Sequence, residues 1–428
     1  MKKTVALLLA AALVLCACAG GTADGMKGNG AFSELFSGKQ KEGTDNAAVL
    51  GTQTITVASA SFNTYELEEY IRYFNNSQDR IRAEFRFYSE PSLLLADLAA
   101  GNAPDVLDLQ GADVPLNSVN FVDLAPLLEA DAQFTNMEFS GNILSSLKTK
   151  DSLLALVDGF SITTLTGRSA DVGLKSGWKM EDAKRLATEK GNAYHMFHPG
   201  LTAQETLLWF CYVSLGQMVD RNAGQCHFDT EAFTEMLKFC AERPRSVDSA
   251  ACGISEWDDS VLLVVETVAN PARLEAIGQN YAGQPYTFIG FPNADDNNGA
   301  YFESSNNLIL SIPTRSTRQE AAWMFLRGML EDGWQARVAE RWELPVIRSA
   351  LDRMFDDART SGEVTLSDAE TERFYRLLEE TTIFIYDDNT IREIIMEEAE
   401  DFLAGVRNAE DTAALIQNRV TLYLQETY

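Results

Sequence analysis

The chain has 428 residues, with 35 Lys and Arg against 63 Asp and Glu, which gives a formal net charge of -28. Hydrophobic residues make up 46% and charged residues 23%, ordinary values for a soluble globular protein, and the length suffices for roughly two to three domains. The acidic balance argues against nucleic acid and against anionic lipid head groups as partners, because both attract Lys and Arg.

The first residues have the pattern of a secretory signal. Lys2 and Lys3 precede an apolar run over residues 5–15, which is shorter than the roughly 20 residues that a membrane-spanning helix needs. The following Leu-Cys-Ala-Cys, which ends at Cys18, resembles a bacterial lipobox. The resemblance implies that residues 1–17 are removed and that Cys18 is lipidated, which would supply the two acyl chains of a stable anchor. The alternative is an ordinary secretory signal in which Cys18 has no role.

Residues 18–52 are rich in glycine among polar side chains, a composition typical of flexible coil. We therefore expect a lipidated Cys followed by a tether, with the folded body beginning at residue 53. No second long apolar run follows, so we expect nothing else in the mature chain to span the membrane.

The folded body opens with alternating strand and helix patterns. Apolar alternation predicts strands, apolar residues at helical spacing predict helices, and Gly101 is placed to end the second helix. The predicted elements are strand 55–58, helix 67–74, strand 81–88, helix 93–100 and strand 105–109. This order indicates an α/β layer with a mainly parallel sheet.

From Trp178 onward the pattern is more helical. Three further helices close the chain, and Ser367 with Glu370 forms a capping box for the first of them. No internal repeat is visible. The other predicted elements are helices 180–190, 204–215, 230–242 and 319–330 and strands 286–290 and 307–312.

Several motifs, in order, resemble those of extracellular solute-binding proteins of bacterial ABC importers, and the tail is similar to that of clostridial members. One departure is residues 260–266, where the family's usual helix is replaced by SVLLVVE. The matching segments are LAAGNAPDV (98–106), FVDLAPLL (121–128), GWKMED (177–182), GFP (290–292), AAWMFL (321–326), LPV (344–346) and QNRVTLYL (417–424).

The resemblance implies a two-lobe periplasmic-binding-protein-like fold of type II. Each lobe would be a mainly parallel sheet flanked by helices, with a hinge through which the chain crosses more than once. Ligand in the cleft would favour closure. The implied N-terminal lobe is 53–157 with 302–345, and the implied C-terminal lobe is 158–301 with 346–428.

Cleft residues follow from the expected topology, because open α/β sheets bind ligands outside the carboxyl ends of their strands. Many members of the resembled family bind sugars. In such sites an aromatic ring stacks on the apolar face of the sugar, and carboxylates or amides form hydrogen bonds with the sugar hydroxyls. For each candidate the alternative is ordinary packing. The candidate ligand-binding residues are Phe62, Asn63, Gln110, Asp113, Trp257, Asp258, Phe302 and Glu303.

The resemblance implies a lipid-anchored, extracytoplasmic and monomeric binding protein, without enzymatic activity. Its partners would be a small solute, most simply a carbohydrate, and the transmembrane subunits of an ABC permease. A surface-anchored enzyme acting on polysaccharide and a sensor partner that presents ligand to a membrane kinase remain as alternatives.

Neither a metal nor a cofactor is expected. His195 and His198 have a spacing that a metal could use, yet no third ligand follows and Pro199 breaks the helix. The calcium-like pattern at 293–297 lacks its closing Glu. The spacing of the later cysteines leaves their disulfide state open; they are Cys211, Cys226, Cys240 and Cys252.

Overall fold

The structure is a computed structural model that describes residues 52–427, apart from 113, 135, 150–151, 192–194, 221–222, 247–256, 294–297, 305–306 and 386–388. The predicted signal peptide, Cys18 and nearly all of the predicted tether lie outside the described residues, as do Asp113 and Cys252.

The described chain alternates strands and helices. The strands are β1 (Gln53–Ser59), β2 (Ile81–Phe87), β3 (Val106–Asp108), β4 (Lys148–Thr149), β5 (Ser152–Leu153), β6 (Leu156–Val157), β7 (Gly159–Arg168), β8 (Val219–Asp220), β9 (Gln225–Cys226), β10 (Leu263–Val268), β11 (Tyr286–Phe288), β12 (Tyr301–Glu303), β13 (Ile309–Ser311), β14 (Leu344–Pro345) and β15 (Ile383–Phe384). The helices are α1 (Tyr65–Ser77), α2 (Pro91–Ala100), α3 (Ala125–Ala130), α4 (Ile143–Ser146), α5 (Ser169–Val172), α6 (Met180–Lys190), α7 (Ala203–Met218), α8 (Glu231–Ala241), α9 (Pro271–Asn280), α10 (Gln319–Gly328), α11 (Asp332–Glu340), α12 (Arg348–Ser361), α13 (Asp368–Glu380), α14 (Asn389–Leu403) and α15 (Ala409–Thr427).

The first sheet has the strand order β2-β1-β3-β13-β6. Its first three strands are parallel, as the sequence predicts, whereas β13 is antiparallel to both β3 and β6. The apolar stripe of α1 is buried, and Tyr70 within it donates a 2.5 Å hydrogen bond to the carbonyl of Phe325 and lies 4.7 Å from the Trp334 ring. Aromatic packing of α1 against α10 and α11 therefore covers one face of this sheet.

The second sheet is built around β7, and here the expectation of a mainly parallel sheet is wrong. Four strands, β10, β11, β12 and β14, pair with β7 in antiparallel register, and only β15 pairs in parallel, with β12. Buried strands have the same apolar character in either direction, so composition does not reveal strand direction.

Alternation along β7 serves two hydrophobic cores. Phe160 and Ile162 face a core that also contains the first sheet and Phe302, while Leu165 faces a second core with Tyr301 and helices α7, α8, α14 and α15. Because successive side chains of a strand point to opposite faces, one ten-residue strand joins both cores.

The chain passes directly between the two sheets at least twice. At the first crossing, Asp158 connects β6 of the first sheet to β7 of the second. At the second crossing, residues 304–308 connect β12 back to β13. The third crossing runs from α11, beside the first sheet, to β14, which pairs with β7. These crossings place the strand ends of the two sheets next to one another.

Most predicted elements are confirmed within a few residues. The helix over 180–190 has the predicted bounds, and the predicted capping box is present, since the Glu370 N–H donates to the Ser367 hydroxyl. The strand over 81–88 is present, but Phe87 is half-exposed rather than covered. None of the described helices combines the length and the apolar character that crossing a membrane requires.

The fully buried Leu310 of β13 tests the packing of the first sheet. Leu310→Ala should lower the free energy of unfolding by about 2–5 kcal/mol, because it removes buried surface and leaves a cavity. Leu422→Ala, at a position 59% exposed, is the control and should change it by about 0.5 kcal/mol or less. Denaturant unfolding measures both, and equal effects would contradict the assigned core.

Candidate ligand-binding cleft between the sheets

A buried carboxylate holds the crossings together. Asp158 is fully buried, and its side chain accepts hydrogen bonds from the Trp334 indole N–H at 2.8 Å and from the Leu308 N–H at 2.8 Å. Arg341 donates to the same carboxylate at 3.3 Å. The first crossing is thereby bound to the second crossing and to the segment that leads into the third. These contacts around Asp158 are here called the joint.

Gln335 strengthens this joint from α11. Its side-chain amide donates to the Asp158 carbonyl at 2.8 Å, and its side-chain carbonyl oxygen accepts from the Ile347 N–H at 3.1 Å. Gln335 is itself fully buried. Because Ile347 follows β14, one side chain links the first crossing to the chain beyond the third.

Charge at the joint is compensated by Arg341. Burial raises the pKa of Asp158, while the Arg341 guanidinium and the Trp334 and Leu308 hydrogen bonds lower it. Arg341 also pairs with Glu66 at 2.5 Å, and its guanidinium lies 5.1 Å from the Trp334 ring. Arg341 therefore interacts with three residues around the joint, Asp158, Glu66 and Trp334.

A cluster of hydroxyls and one carboxylate, here called the crossing cluster, lies where β12 leaves the second sheet. The Thr163 hydroxyl donates to Glu303 at 2.7 Å and lies 2.7 Å from the Thr267 hydroxyl, and Ser161 donates to Glu303 at 3.4 Å. The β7–β12 and β7–β10 registers place these four side chains on one face. Glu303 is half-buried, as a side chain at a cleft surface would be.

Gln110 connects the first sheet to this region. Its side-chain amide donates to the carbonyls of Ser304 at 2.9 Å and Asn307 at 2.5 Å, on the crossing that follows Glu303. The Asn307 amide in turn lies 3.4 Å from Glu343, whose pKa burial raises. Residues after β3, after β12 and before β14 thus form one polar network.

Two cavities border the crossings. One, of about 600 Å³, is lined by Asn63, Tyr65, Glu66, Glu69, Arg337, Glu340, Arg341 and Glu343. Another, of about 680 Å³, takes its walls from both sheets and from α7, and includes Leu116, Ile309, Tyr212, Ile383 and Phe384. Both have the size of sites for small molecules.

Trp257 lies at the edge of the second sheet. It is half-buried, and its indole N–H donates to Glu266 at 3.2 Å. Glu266 is fully buried and pairs with Arg273 at 2.6 Å. Asp258, in contrast, is exposed and accepts from the Ser260 N–H and hydroxyl, so its observed bonds serve the local turn.

Two of the predicted aromatic residues, Phe62 and Phe302, lie in different surroundings. Phe62 follows β1 and is 93% exposed. Phe302 is fully buried, with its ring at 89° to that of Phe160 and 5.3 Å away, so it packs in the core and presents no surface to a ligand. The register of β12 explains the difference between Phe302 and its neighbour Glu303, because adjacent residues face opposite sides.

The residues that sequence reasoning missed include Ser161, Thr163 and Thr267 of the crossing cluster and Glu343. A signal for the first two exists: in GFSITTLT, Ser161 and Thr163 alternate with apolar residues inside a buried strand. Polar side chains at every second position of such a strand indicate a polar face.

Among the described residues no group of three or more His, Cys, Asp or Glu is placed to hold a metal ion. Cys211, Cys226 and Cys240 are free and buried, and burial raises the pKa of the Cys211 thiol to about 12. Their environment is that of small core residues, unsuited to thiolate chemistry.

Comparisons with known proteins bear on the fold. No family model matches the chain, and no curated protein matches its sequence. Among solved structures, it is similar to an ABC substrate-binding protein from Listeria monocytogenes in complex with cycloalternan (16% identity, 87% of this chain and 99% of that one, TM-score 0.53) and to a periplasmic oligogalacturonide-binding protein from Yersinia enterocolitica (14%, 87% and 99%, 0.56). The chain has the two-lobe fold of these binding proteins. A de novo designed cysteine esterase is also similar in structure (13%, 87% and 98%, 0.57).

Removal of the buried carboxylate tests the joint. Asp158→Ala should lower the free energy of unfolding by about 3–5 kcal/mol. It leaves the buried Trp334 and Leu308 N–H groups without an acceptor and removes a buried partner of Arg341. The control is Asp259→Ala, whose 91% exposed side chain pairs with Arg168 at 2.8 Å and should cost about 1 kcal/mol or less. Thermal and denaturant unfolding report both; similar losses for the two variants would refute the joint.

Proposed function

We propose that the protein is a solute-binding component of an ABC importer, and that it captures a carbohydrate between its two sheets. The observation that carries this proposal is the crossing cluster, in which Ser161, Thr163, Thr267 and Glu303 gather hydroxyls and a carboxylate at the junction of a two-lobe binding fold. Ligand contacted from both lobes would favour closure about the crossings.

The chemistry suits a sugar. Sugar hydroxyls both donate and accept hydrogen bonds, and a carboxylate beside threonine hydroxyls offers both functions. Glu303 is half-buried, where such bonds are stronger than in bulk water. Trp257 lies apart from this cluster, on the opposite face of the second sheet, because its partner Glu266 is adjacent to Thr267 in β10 and successive side chains of a strand face opposite sides. The structural relatives that bind saccharides support the same class.

The deciding experiment is calorimetric and thermal-shift screening of the purified protein against neutral oligosaccharides, uronates, peptides and polyamines. A saccharide present at 100 times its Kd should stabilise the folded protein by about 2.7 kcal/mol. Selective stabilisation by peptides or polyamines would contradict the carbohydrate assignment. Hydrolysis of a glycan in the same samples would instead favour the surface enzyme.

The crossing cluster makes a specific prediction for the saccharide identified in that screen. Thr163→Val and Glu303→Gln should each weaken its binding about 10–100-fold in calorimetry, because each removes a partner of the sugar hydroxyls while keeping the side-chain shape. Thr54→Val and Glu363→Gln, at exposed positions, are the matched controls and should leave Kd unchanged. Unaltered affinity in both cluster variants would place the ligand elsewhere.

The remaining parts of the proposal concern location and partners. We propose a monomer on the extracytoplasmic face of the cell membrane, anchored through lipid on Cys18, which delivers its solute to permease transmembrane subunits. The proposed lobes are 53–157 with 302–345 and 158–301 with 346–428, although β12 and β14, at these bounds, pair with β7 of the second sheet. Short sequence features, the apolar run over residues 5–15 and the cysteine that follows it, support the anchor.

Cys18→Ala tests the anchor in cells that express the full chain. The wild-type protein should fractionate with membranes, and the variant should be released into the medium because it lacks both acyl chains. Cys16→Ala is the control and should remain membrane-bound, since residue 16 is removed with the signal. Membrane retention of the Cys18 variant would contradict lipidation.

A further inference from the structure

Two loops that border the crossings are held by one buried hydrogen-bond chain. Ser59, at the end of β1, donates its hydroxyl to Asp108 at 2.8 Å and accepts the Ser61 N–H at 3.0 Å. The Ser61 hydroxyl then accepts the Asn63 N–H at 3.2 Å. Ser59 is fully buried and Asp108 is 3% exposed. The loop that carries Phe62 and Asn63 is therefore connected step by step to a carboxyl group inside the first sheet.

The same carboxyl group holds the loop after β3. Its second oxygen accepts the Gln110 N–H at 3.1 Å, and the Gln110 side chain reaches the second crossing at Ser304 and Asn307. Gly111, with φ +67°, lies so close to the first loop that a Cβ there would be 3.3 Å from the Ala60 carbonyl oxygen. The two loops, residues 60–63 and 110–112, are thus packed together and are here called the rim loops.

We propose that Asp108 is a proton-sensitive positioning residue that holds both rim loops in place, so that its protonation state sets how firmly they are closed over the end of the first sheet. It lies behind the loops and is joined to them through Ser59 and Gln110.

The titration behaviour of Asp108 supports this role. The pKa of Asp108 is raised to about 7: burial is the largest cause and the charge of Asp158 at the first crossing also raises it, while the Ser59 and Gln110 hydrogen bonds lower it. The neighbouring strands β1 and β13 face it with Ser59 and with the backbone of Leu310, neither of which titrates, and Asp158 itself is paired with Arg341.

The sign of the effect follows from linkage. An open rim exposes Asp108 to water, where its pKa is about 4, so the closed rim binds the proton more tightly than the open rim. Closure is therefore favoured fully below about pH 4 and weakens as pH rises to about 7. Within this window the open fraction should rise about tenfold per pH unit, and above about pH 8 it should be level.

Amide hydrogen exchange of the intact protein tests this without a ligand. Exchange rates of peptides covering residues 59–64 and 109–116 would be measured from pH 5 to pH 8 and divided by the intrinsic rates. The wild type should lose protection in both peptides by at least tenfold between pH 5 and pH 7. A peptide from α8, in the other core, should show no such step.

Two variants separate the proton from the packing. Asp108→Asn mimics the protonated group, and its rim protection should be high and constant across the range. Asp108→Ala should lose protection in both peptides at every pH. The proposal is overturned if the wild-type rim varies less than threefold, or if Asp108→Asn keeps the pH step. A variant that fails to fold would lose protection in α8 as well, and the wild-type profile then still decides.

A consequence for binding rests on the proposed function. If the rim loops contact the saccharide, its affinity in the wild type should fall between pH 5 and pH 7 and should be level in Asp108→Asn. Absence of any saccharide binding would defeat the proposed function but leave the exchange result intact. A pH-independent rim would defeat the role of Asp108 and leave the proposed function untouched.

Discussion

A fully buried carboxylate at the first crossing is the constraint on which the arrangement of the two sheets depends. Asp158 receives hydrogen bonds from three directions, and the groups that donate them, Leu308, Trp334 and Arg341, lie on segments distant from it in sequence. An isolated charge in such a place would be costly, so the group is acceptable only while every partner is present. Separation of the sheets at this point would break all of these hydrogen bonds.

The position of the crossing cluster follows from that joint. Because β7 begins directly after Asp158, its alternation places Phe160 and Ile162 in one core and turns Ser161 and Thr163 to the other face. The incoming strand β12 repeats the alternation, with Phe302 in the core and its neighbour on the polar side. The same alternation that builds the hydrophobic cores places these hydroxyl and carboxylate groups together on one face of the second sheet.

Sequence reasoning predicted the α/β class, most helices and the carboxyl ends of β1 and β3, because apolar periodicity and turn residues are local signals. It did not predict that four strands pair antiparallel with β7, since pairing direction is not encoded in composition. It also named Phe302 for the ligand surface and missed Ser161. The register between strands decides which of two neighbouring side chains faces the core, and the sequence of one strand does not reveal that register. Trp257 illustrates a middle case: the residue type suggested a site, but only its bond to Glu266 shows how it is held.

The central claim is that ligand binds between the two sheets and draws them together about the crossings. Small-angle X-ray scattering of the protein with and without a saturating concentration of the saccharide that stabilises it measures this directly. The account predicts a smaller radius of gyration in the bound state, with no change in the forward scattering that reports molecular mass. An unchanged radius of gyration, at a concentration where calorimetry shows full occupancy, would contradict it.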